Sequence, residues 1–425
     1  MFKAKHPFLF DTISQLKQKT KNMTDTKILK DKLLTRNFIS MCVANFLMSF
    51  SFYILIPTLP FYLIETFKAG QSVVGIILSI YTVSVLIVRP FSGFLADTFQ
   101  RKPLYLFAYF VFASFFLGYP LAGSLLVFTI IRVIHGLAFG MLTTTGNTLV
   151  IDVMPSSRRG EGLGYFGVTG NIAMAIGPMT GLILKDIIPF DYIFYIAAIS
   201  GAVGILFICL IKTPRRQLQK SQPISFDRFF LVKGVPASIP FLFLAIPYAM
   251  TSSYIALYVS SLGLTSNSGF FFSIMAVGMI LSRITSGKLV DQGFITQNIR
   301  KGIIIATIAM VGEVALGYAL TQNFTIGCTL YYVVAFLLGY GYGTLFPAMN
   351  TLFINLAPHN RRATANSMYL TGWDVGIGIG AFLGGYISEH YNFVSVYTIG
   401  LICAIAALVL FIIWVTPHFF KNRLA

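Results

Sequence analysis

Apolar residues run through this chain in long stretches separated by short polar turns, from Phe38 to about Val415. Each stretch is about 20 residues or longer, the length a helix needs to cross the hydrocarbon core of a bilayer. Twelve can be drawn, over 38–63, 71–96, 103–122, 124–151, 161–185, 190–211, 236–262, 269–290, 301–320, 325–355, 363–388 and 392–415. The one long interruption, 212–235, carries Arg215, Arg216, Lys220, Asp227, Arg228 and Lys233 and divides the segments into two groups of six. The pattern predicts an all-α integral membrane protein. A six-helix bundle spans 38–211, a cytoplasmic linker 212–235 and a second bundle 236–415, between a basic tail at 1–37 and a short tail at 416–425.

Composition agrees. The chain is 56% hydrophobic and 11% charged, against about 25% charged residues in soluble domains. Residues 1–37 lack the apolar core of a signal peptide. Phe8, Leu9, Phe10 and Ile13 leave two readings there, a short amphipathic helix on an anionic membrane surface or a solvated tail. The formal charge of +17 would fit a nucleic-acid binder, but its distribution does not. Of the 31 Lys and Arg, 25 fall in the N-terminal tail, the C-terminus and one set of alternate loops, while the opposite loops hold Lys68 and Lys185. That asymmetry is the positive-inside pattern, so both termini are expected in the cytoplasm. Cys42, Cys209, Cys328 and Cys403 are scattered through apolar stretches without metal-ligand spacing, so neither metal nor cofactor is expected.

An internal repeat organises the chain. Arg89-Pro90-Phe91-Ser92-Gly93-Phe94-Leu95-Ala96-Asp97, followed by Arg101 and Lys102, recurs 194 residues on as Arg283-Ile284-Thr285-Ser286-Gly287-Lys288-Leu289-Val290-Asp291, followed by Arg300 and Lys301. Gly146-Asn147-Thr148-Leu149 recurs as Met349-Asn350-Thr351-Leu352 at an offset of 203, which also aligns Gly140 with Gly343, Gly177 with Gly380 and Gly181 with Gly384. Six helices per half give both copies one orientation, so a pseudo-twofold axis along the membrane normal is expected.

The block from Gly93 through Leu95, Ala96 and Asp97 to Arg101 and Lys102 resembles the loop 2–3 signature of the major facilitator superfamily of secondary transporters. Thr98 and Gln100 depart from that signature. The resemblance implies a gating role for Gly93, Asp97, Arg101, Lys102, Gly287 and Asp291. Arg132-Val133-Ile134-His135-Gly136 resembles a second signature, associated with proton-coupled members, with His135 in place of Gln. Gly177-Pro178-Met179-Thr180-Gly181 resembles the antiporter signature of the family and implies a helix bend that favours efflux.

Charges within membrane helices are costly and tend to be functional. Arg132 keeps its charge when buried, so it either tunes a nearby carboxylate or braces helices through carbonyls. His135 shares its helical face and either relays protons or is a neutral structural histidine. Asp374, beside Trp373, has Asn171 as its counterpart in the first half. It is a candidate for proton coupling or for pairing with a cationic substrate. Glu313 falls in segment 9, which the resemblance makes peripheral, with a lipid-edge or inter-helix role, and Glu65 lies at an outer helix end, as an external gate or a solvated end. The resemblance also makes segments 1, 4, 7 and 10 line the cavity. Candidates there are Asn45, Phe50, Tyr53, Asn147, Tyr248, Tyr254, Tyr340 and Asn350, with Trp373 nearby; aromatic walls suit an amphipathic substrate.

No Gly-x-x-x-x-Gly-Lys-[Ser/Thr] loop and no His-Glu-x-x-His pair occurs, which argues against an ATP-driven pump and a metalloprotease. The expectation is a monomeric, non-enzymatic, proton-coupled exporter of small organic compounds in a bacterial inner membrane. Its partners are substrate, protons and the lipid bilayer, not nucleic acid. Uptake or exchange of a metabolite, or a transport-inactive sensor, are the alternatives.

Overall fold

A computed structural model describes residues 32–155, 158–213, 231–264, 268–358 and 362–424. Most of the basic tail and most of the 212–235 linker lie outside these residues. So do Gly287 and the side chains of Asp97 and Asp291, three of the expected gating residues.

The described chain is helical almost throughout. In the first half, α1 is Arg36–Tyr53, α2 Leu59–Phe67, α3 Gln71–Thr98, α4 Arg101–Gly118, α5 Leu125–Val153, α6 Arg159–Lys185 and α7 Phe190–Cys209. After a 3-10 turn, Val232–Gly234, the second half runs α8 Val235–Ser261, α9 Phe270–Asp291, α10 Ile295–Gln322, α11 Phe324–Asn355, α12 Arg362–His390 and α13 Phe393–Leu410. A π turn, Phe411–Val415, leads into α14, Thr416–Asn422. Among the described residues, eight helices are long and apolar enough to cross a membrane by length and composition alone. Short polar residues start several of them. Thr35, Ser124, Asn323 and Asn392 each accept a hydrogen bond from a first-turn N–H, which satisfies a donor that has no partner within the helix.

Each half packs by the same plan. In the first, α3 lies on α5, α4 on α5 and α7, and α1 on α6 and α7. In the second, α9 lies on α11, α10 on α11 and α13, and α8 on α12 and α13. These are the pairs the repeat relates, and the two bundles then meet through α3 with α12 and α6 with α9.

Two features depart from the apolar pattern. The first segment is not one helix: residues 54–58 form turns, closed by Leu55 N–H to Phe52 O at 3.2 Å and Ile56 N–H to Tyr53 O at 3.3 Å. Pro57 has no N–H to continue the ladder, and Pro60 stands in the first turn of α2. Gly177 and Gly181 of α6 pack on this break. A Cβ on Gly177 would lie 2.8 Å from Tyr53 Cβ, and one on Gly181 would run into the Ile54 carbonyl oxygen. The glycines of the antiporter-like block thus admit the backbone of the broken segment. At the other end of the chain, the expected tail from 416 is helical through Asn422 and attached. Phe419 is buried, His418 Nε2 lies 2.8 Å from Lys233 O, and Leu424 N–H donates to Asn355 O at 2.9 Å.

Candidate functional site: an ion pair across the bundle seam

Helices α3 and α12 run antiparallel along the seam between the bundles. Their approach rests on small residues: a Cβ on Gly75 would lie 2.9 Å from Phe382 O and 3.2 Å from Gly385 Cα. Polar contacts among the described residues join the bundles along this seam. The backbone N–H of Ser72 donates to Glu389, and Ser79 Oγ donates to Gly378 O at 2.9 Å. About 20 Å of helix from Gly75, the guanidinium of Arg89 pairs with the carboxylate of Asp374, with the two side chains 10% and 19% exposed. Arg89 Nε is buried without a hydrogen-bond partner, and Asp374 Oδ2 meets Arg89 Nη2. The pair is therefore held by charge, with little other hydrogen bonding to replace its hydration.

Aromatic residues lie near this pair. Tyr53, Tyr81 and Tyr369 lie within electrostatic reach of Asp374. Trp373, next to it, packs against Phe241 at 5.2 Å, Tyr248 at 4.9 Å and Phe346 at 4.7 Å between ring centroids. Such walls offer π faces to an apolar or cationic solute. The charges at the centre supply polarity and a titratable carboxylate.

The cation beside Asp374 is Arg89, not Arg132. Arg132 stands 4.1 Å over the ring of Tyr81 and donates to Tyr119 Oη at 3.3 Å, while Arg89 holds Asp374. Tyr119 Oη also lies 2.6 Å from His135 Nδ1. With Arg132 donating, the Tyr119 proton goes to His135 Nδ1, which assigns the neutral Nε2–H tautomer by inference. The ring of His135 is fully buried against Phe112 and Phe116, surroundings that suit a neutral imidazole. Tyr81 stacks under Arg132 and lies within electrostatic reach of Asp374.

Other expected residues separate. Tyr248 and Trp373 belong to the aromatic wall, and Tyr53 lies on it from α1. Tyr254 is corrected: it is 0% exposed and donates its hydroxyl to Ala381 O at 2.8 Å, tying α8 to α12 rather than facing a cavity. Asn45 donates Nδ2 to Phe166 O and to Thr169 Oγ1, bracing α1 on α6. Phe50 stacks on Phe46 and Tyr340 on Phe336. Asn147 lies partly buried on α5, and Asn350 Oδ1 is buried and unpaired. Gly93 stands in the last turns of α3. Arg101 donates to Asp152 Oδ1 at 2.7 Å, and Lys102 Nζ to Cys209 O and Ile211 O, so both basic residues brace the first bundle internally.

Three participants went unread in the sequence. Arg89 opens the repeat block, but nothing local names a carboxylate in the other half. Tyr119 lies at the end of α4, where an aromatic residue reads as an interfacial anchor. Glu389, one residue past the apolar span ending at 388, reads as a solvated helix end. The Ser72 N–H bond holds its carboxyl below the usual range. A depressed value means that the Glu389 bond stabilises this seam fully above the ordinary carboxylate pKa, about 4.3. That contribution is lost as pH falls through the lower value. Glu389→Gln is therefore expected to loosen this end of the seam at neutral pH. Maleimide labelling of a cysteine placed at Ser260, nearby, should rise severalfold. Unchanged labelling would mean that the bond does not hold the seam.

A helical membrane protein built of two repeated bundles, meeting at a buried ion pair among aromatic rings, is the architecture of a membrane transporter. The Major Facilitator Superfamily model matches residues 41–330 and 293–423, and the chain belongs to that superfamily. Multidrug resistance protein MdtG of Citrobacter koseri is 27% identical over 396 residues, covering 88% of this chain and 93% of its own. A mutant of the peptide transporter POT superposes with a TM-score of 0.74 at 16% identity, over 91% of this chain and 95% of that one. A bacterial homologue of the human lysosomal transporter Spinster, in an inward-facing and unoccupied conformation, superposes with a TM-score of 0.65 at 15% identity, over 91% and 98%. At these identities the two structures speak for the fold alone.

Proposed function

We propose that this transporter exports small amphipathic organic compounds in exchange for protons, by alternating access, with Arg89 and Asp374 as its coupling pair. The observation that carries the reading is the ion pair itself. It bridges α3 and α12 across the seam, inside an aromatic wall. Protonating Asp374 removes the attraction that joins the bundles there, and a cationic solute competes with Arg89 for the same carboxylate. One residue thereby links proton, substrate and bundle contact. The match to multidrug resistance proteins supports export, as does the packing of Gly177 and Gly181 on the α1–α2 break. The positive-inside distribution supports a cytoplasmic location for the Arg101 end of the bundles. The Glu389 end, where α3 and α12 pack, then faces outside, so this conformation is closed to the outside.

The test is transport by the purified chain in proteoliposomes. Counterflow of a panel of drugs, dyes and metabolites is expected to find amphipathic cations among the solutes exchanged. An imposed pH gradient should then drive those solutes against their own gradient, with protons moving the opposite way. Counterflow of no compound would leave the chain a sensor. Gradient-driven flux with protons in the same direction would make it an importer.

A further inference from the structure

The second bundle contains a carboxylate that the seam does not use. Glu313 stands in the middle of α10 and is 0% exposed. Its Oε1 and Oε2 lie 2.9 and 3.0 Å from Thr251 Oγ1 on α8, and that hydroxyl lies 3.0 Å from Pro247 O. No ion pair to Glu313 occurs among the described residues. The titratable groups facing it are neutral: Tyr258 on α8, Tyr331 and Tyr342 on α11, and Tyr397 on α13. On α13, Cys403 interacts with Tyr342 in turn. Arg300 and Lys301 of α10 itself are about 18 Å or more away along the helix. Arg283 of α9 faces Tyr369 instead.

Counting protons decides the state of this group. Thr251 has one hydroxyl proton and two acceptors claiming it, Pro247 O and Glu313. An ionised Glu313 would take that proton as its single donor, buried in lipid-embedded protein with no cation, at a large desolvation cost. A protonated Glu313 donates to Thr251 Oγ1, which donates to Pro247 O. That chain leaves no donor unused.

A route to the site is also visible. The hydroxyls of Tyr258 and Tyr397 are buried, Tyr397 Oη without a hydrogen-bond partner and Tyr258 Oη against the backbone of α10, and their rings lie 5.3 Å apart. The hydroxyls of Tyr331 and Tyr342 are engaged, donating to Ser268 O and Leu244 O. Tyr258 Oη abuts Gly317, one turn of α10 from Glu313, where a Cβ would collide with it. Towards the Glu389 end, Tyr258 stands behind a cleft of about 300 Å³ lined by Glu65, Gln71, Leu257, Ser260, Ser261 and Phe393 among others. Phe393 packs on the Tyr258 ring at 5.2 Å, and Ser261 Oγ donates to Tyr258 O. Tyr258 thus reaches from the cleft wall to the turn of α10 beside Glu313.

We propose that Glu313 is a proton-binding site of the second bundle, separate from the Arg89–Asp374 pair, and that its proton enters from this cleft past Tyr258. The site holds α8 to α10 at the Pro247 kink while the proton is bound. It does not depend on what the chain transports.

Infrared difference spectroscopy of the full chain in lipid tests both halves of the proposal. At neutral pH the wild type should show a protonated-carboxyl stretch that Glu313→Gln lacks and Asp374→Asn keeps. Gln preserves the shape and can still donate to Thr251, and a thermal melt checks that it folds. Identical carboxyl bands in wild type and a folded Glu313→Gln would overturn the protonated site. On transfer to deuterated water, Tyr258→Phe should slow the isotope shift of the Glu313 band by about a hundredfold, the lower end of what a positioned proton-transfer group contributes. An unchanged exchange rate in Tyr258→Phe would overturn the cleft route.

Discussion

Asp374→Asn is expected to abolish accumulation driven by a pH gradient while leaving counterflow of the same solute in place. The amide keeps the shape of the carboxyl but neither binds nor releases a proton over the working range. It therefore removes coupling and spares the aromatic wall formed by Trp373, Tyr248 and Phe346. The single substitution also strands the Arg89 cation. Breaking a buried pair from one side costs about 3–5 kcal/mol; with side chains 10% and 19% exposed, the lower end applies here. Loss of transport through misfolding must therefore be separated from loss of coupling. Combining Asp374→Asn with Arg89→Gln removes both charges, and the double variant should recover most of the melting temperature lost by the single one. Counterflow without gradient-driven accumulation in the double variant would assign coupling to the pair. Gradient-driven accumulation at the wild-type rate in Asp374→Asn would make Asp374 structural and move the search to His135, Glu65 and Glu313.

Arg132 acts differently. Its contacts are Tyr81 and Tyr119 rather than Asp374. Arg132→Ala is expected to shift the pH dependence of transport less than Arg89→Gln does. Arg132→Lys would keep the cation over Tyr81 but lose the planar fork that also reaches Tyr119.

What the sequence made legible divides along physical lines. Helix positions and the two-bundle plan follow from the length of the apolar runs and from the repeat, because both are properties of contiguous residues. The break at 54–58 was hidden because Ile54, Leu55 and Ile56 are as apolar as the helices they join. Only Pro57 and Pro60 marked it. Asp374 stood out as a lone charge in an apolar run, whereas its partner did not. Arg89 sits in a conserved-looking block of its own repeat, and contact across the seam depends on how two bundles pack. Arg132 stood out by its own signature-like run, yet Tyr81 and Tyr119 occupy its guanidinium. Tyr254 was misplaced for a related reason. Being on segment 7 does not fix which way a side chain points, and its hydroxyl finds Ala381 O. Glu313 was read as a lipid-edge or inter-helix residue, and its bond to Thr251 on α8 makes it the second.

A disulfide between Thr82→Cys and Gly378→Cys, in a background without the native cysteines, should stop transport, and reduction should restore it. A Cβ on Gly378 would lie 3.5 Å from Thr82 Cβ, at the near edge of the separation a disulfide spans, about 3.5–4.5 Å. Thr82 lies on α3 one turn from Ser79, whose hydroxyl bonds Gly378 O on α12, on the way to the Arg89–Asp374 pair. The bond would join the bundles at the middle of their contact. Alternating access requires this seam to part when the protein opens at the Glu389 end, so the cross-link should hold every molecule in the closed arrangement. The effect is all-or-none for each cross-linked chain, and residual flux should match the uncross-linked fraction. Binding from the Arg101 side should survive, because the cross-link leaves that end as it is. Complete cross-linking with wild-type flux would mean that α3 and α12 stay together throughout the cycle. The Arg89–Asp374 pair would then be a static brace rather than a contact that the proton and the substrate control.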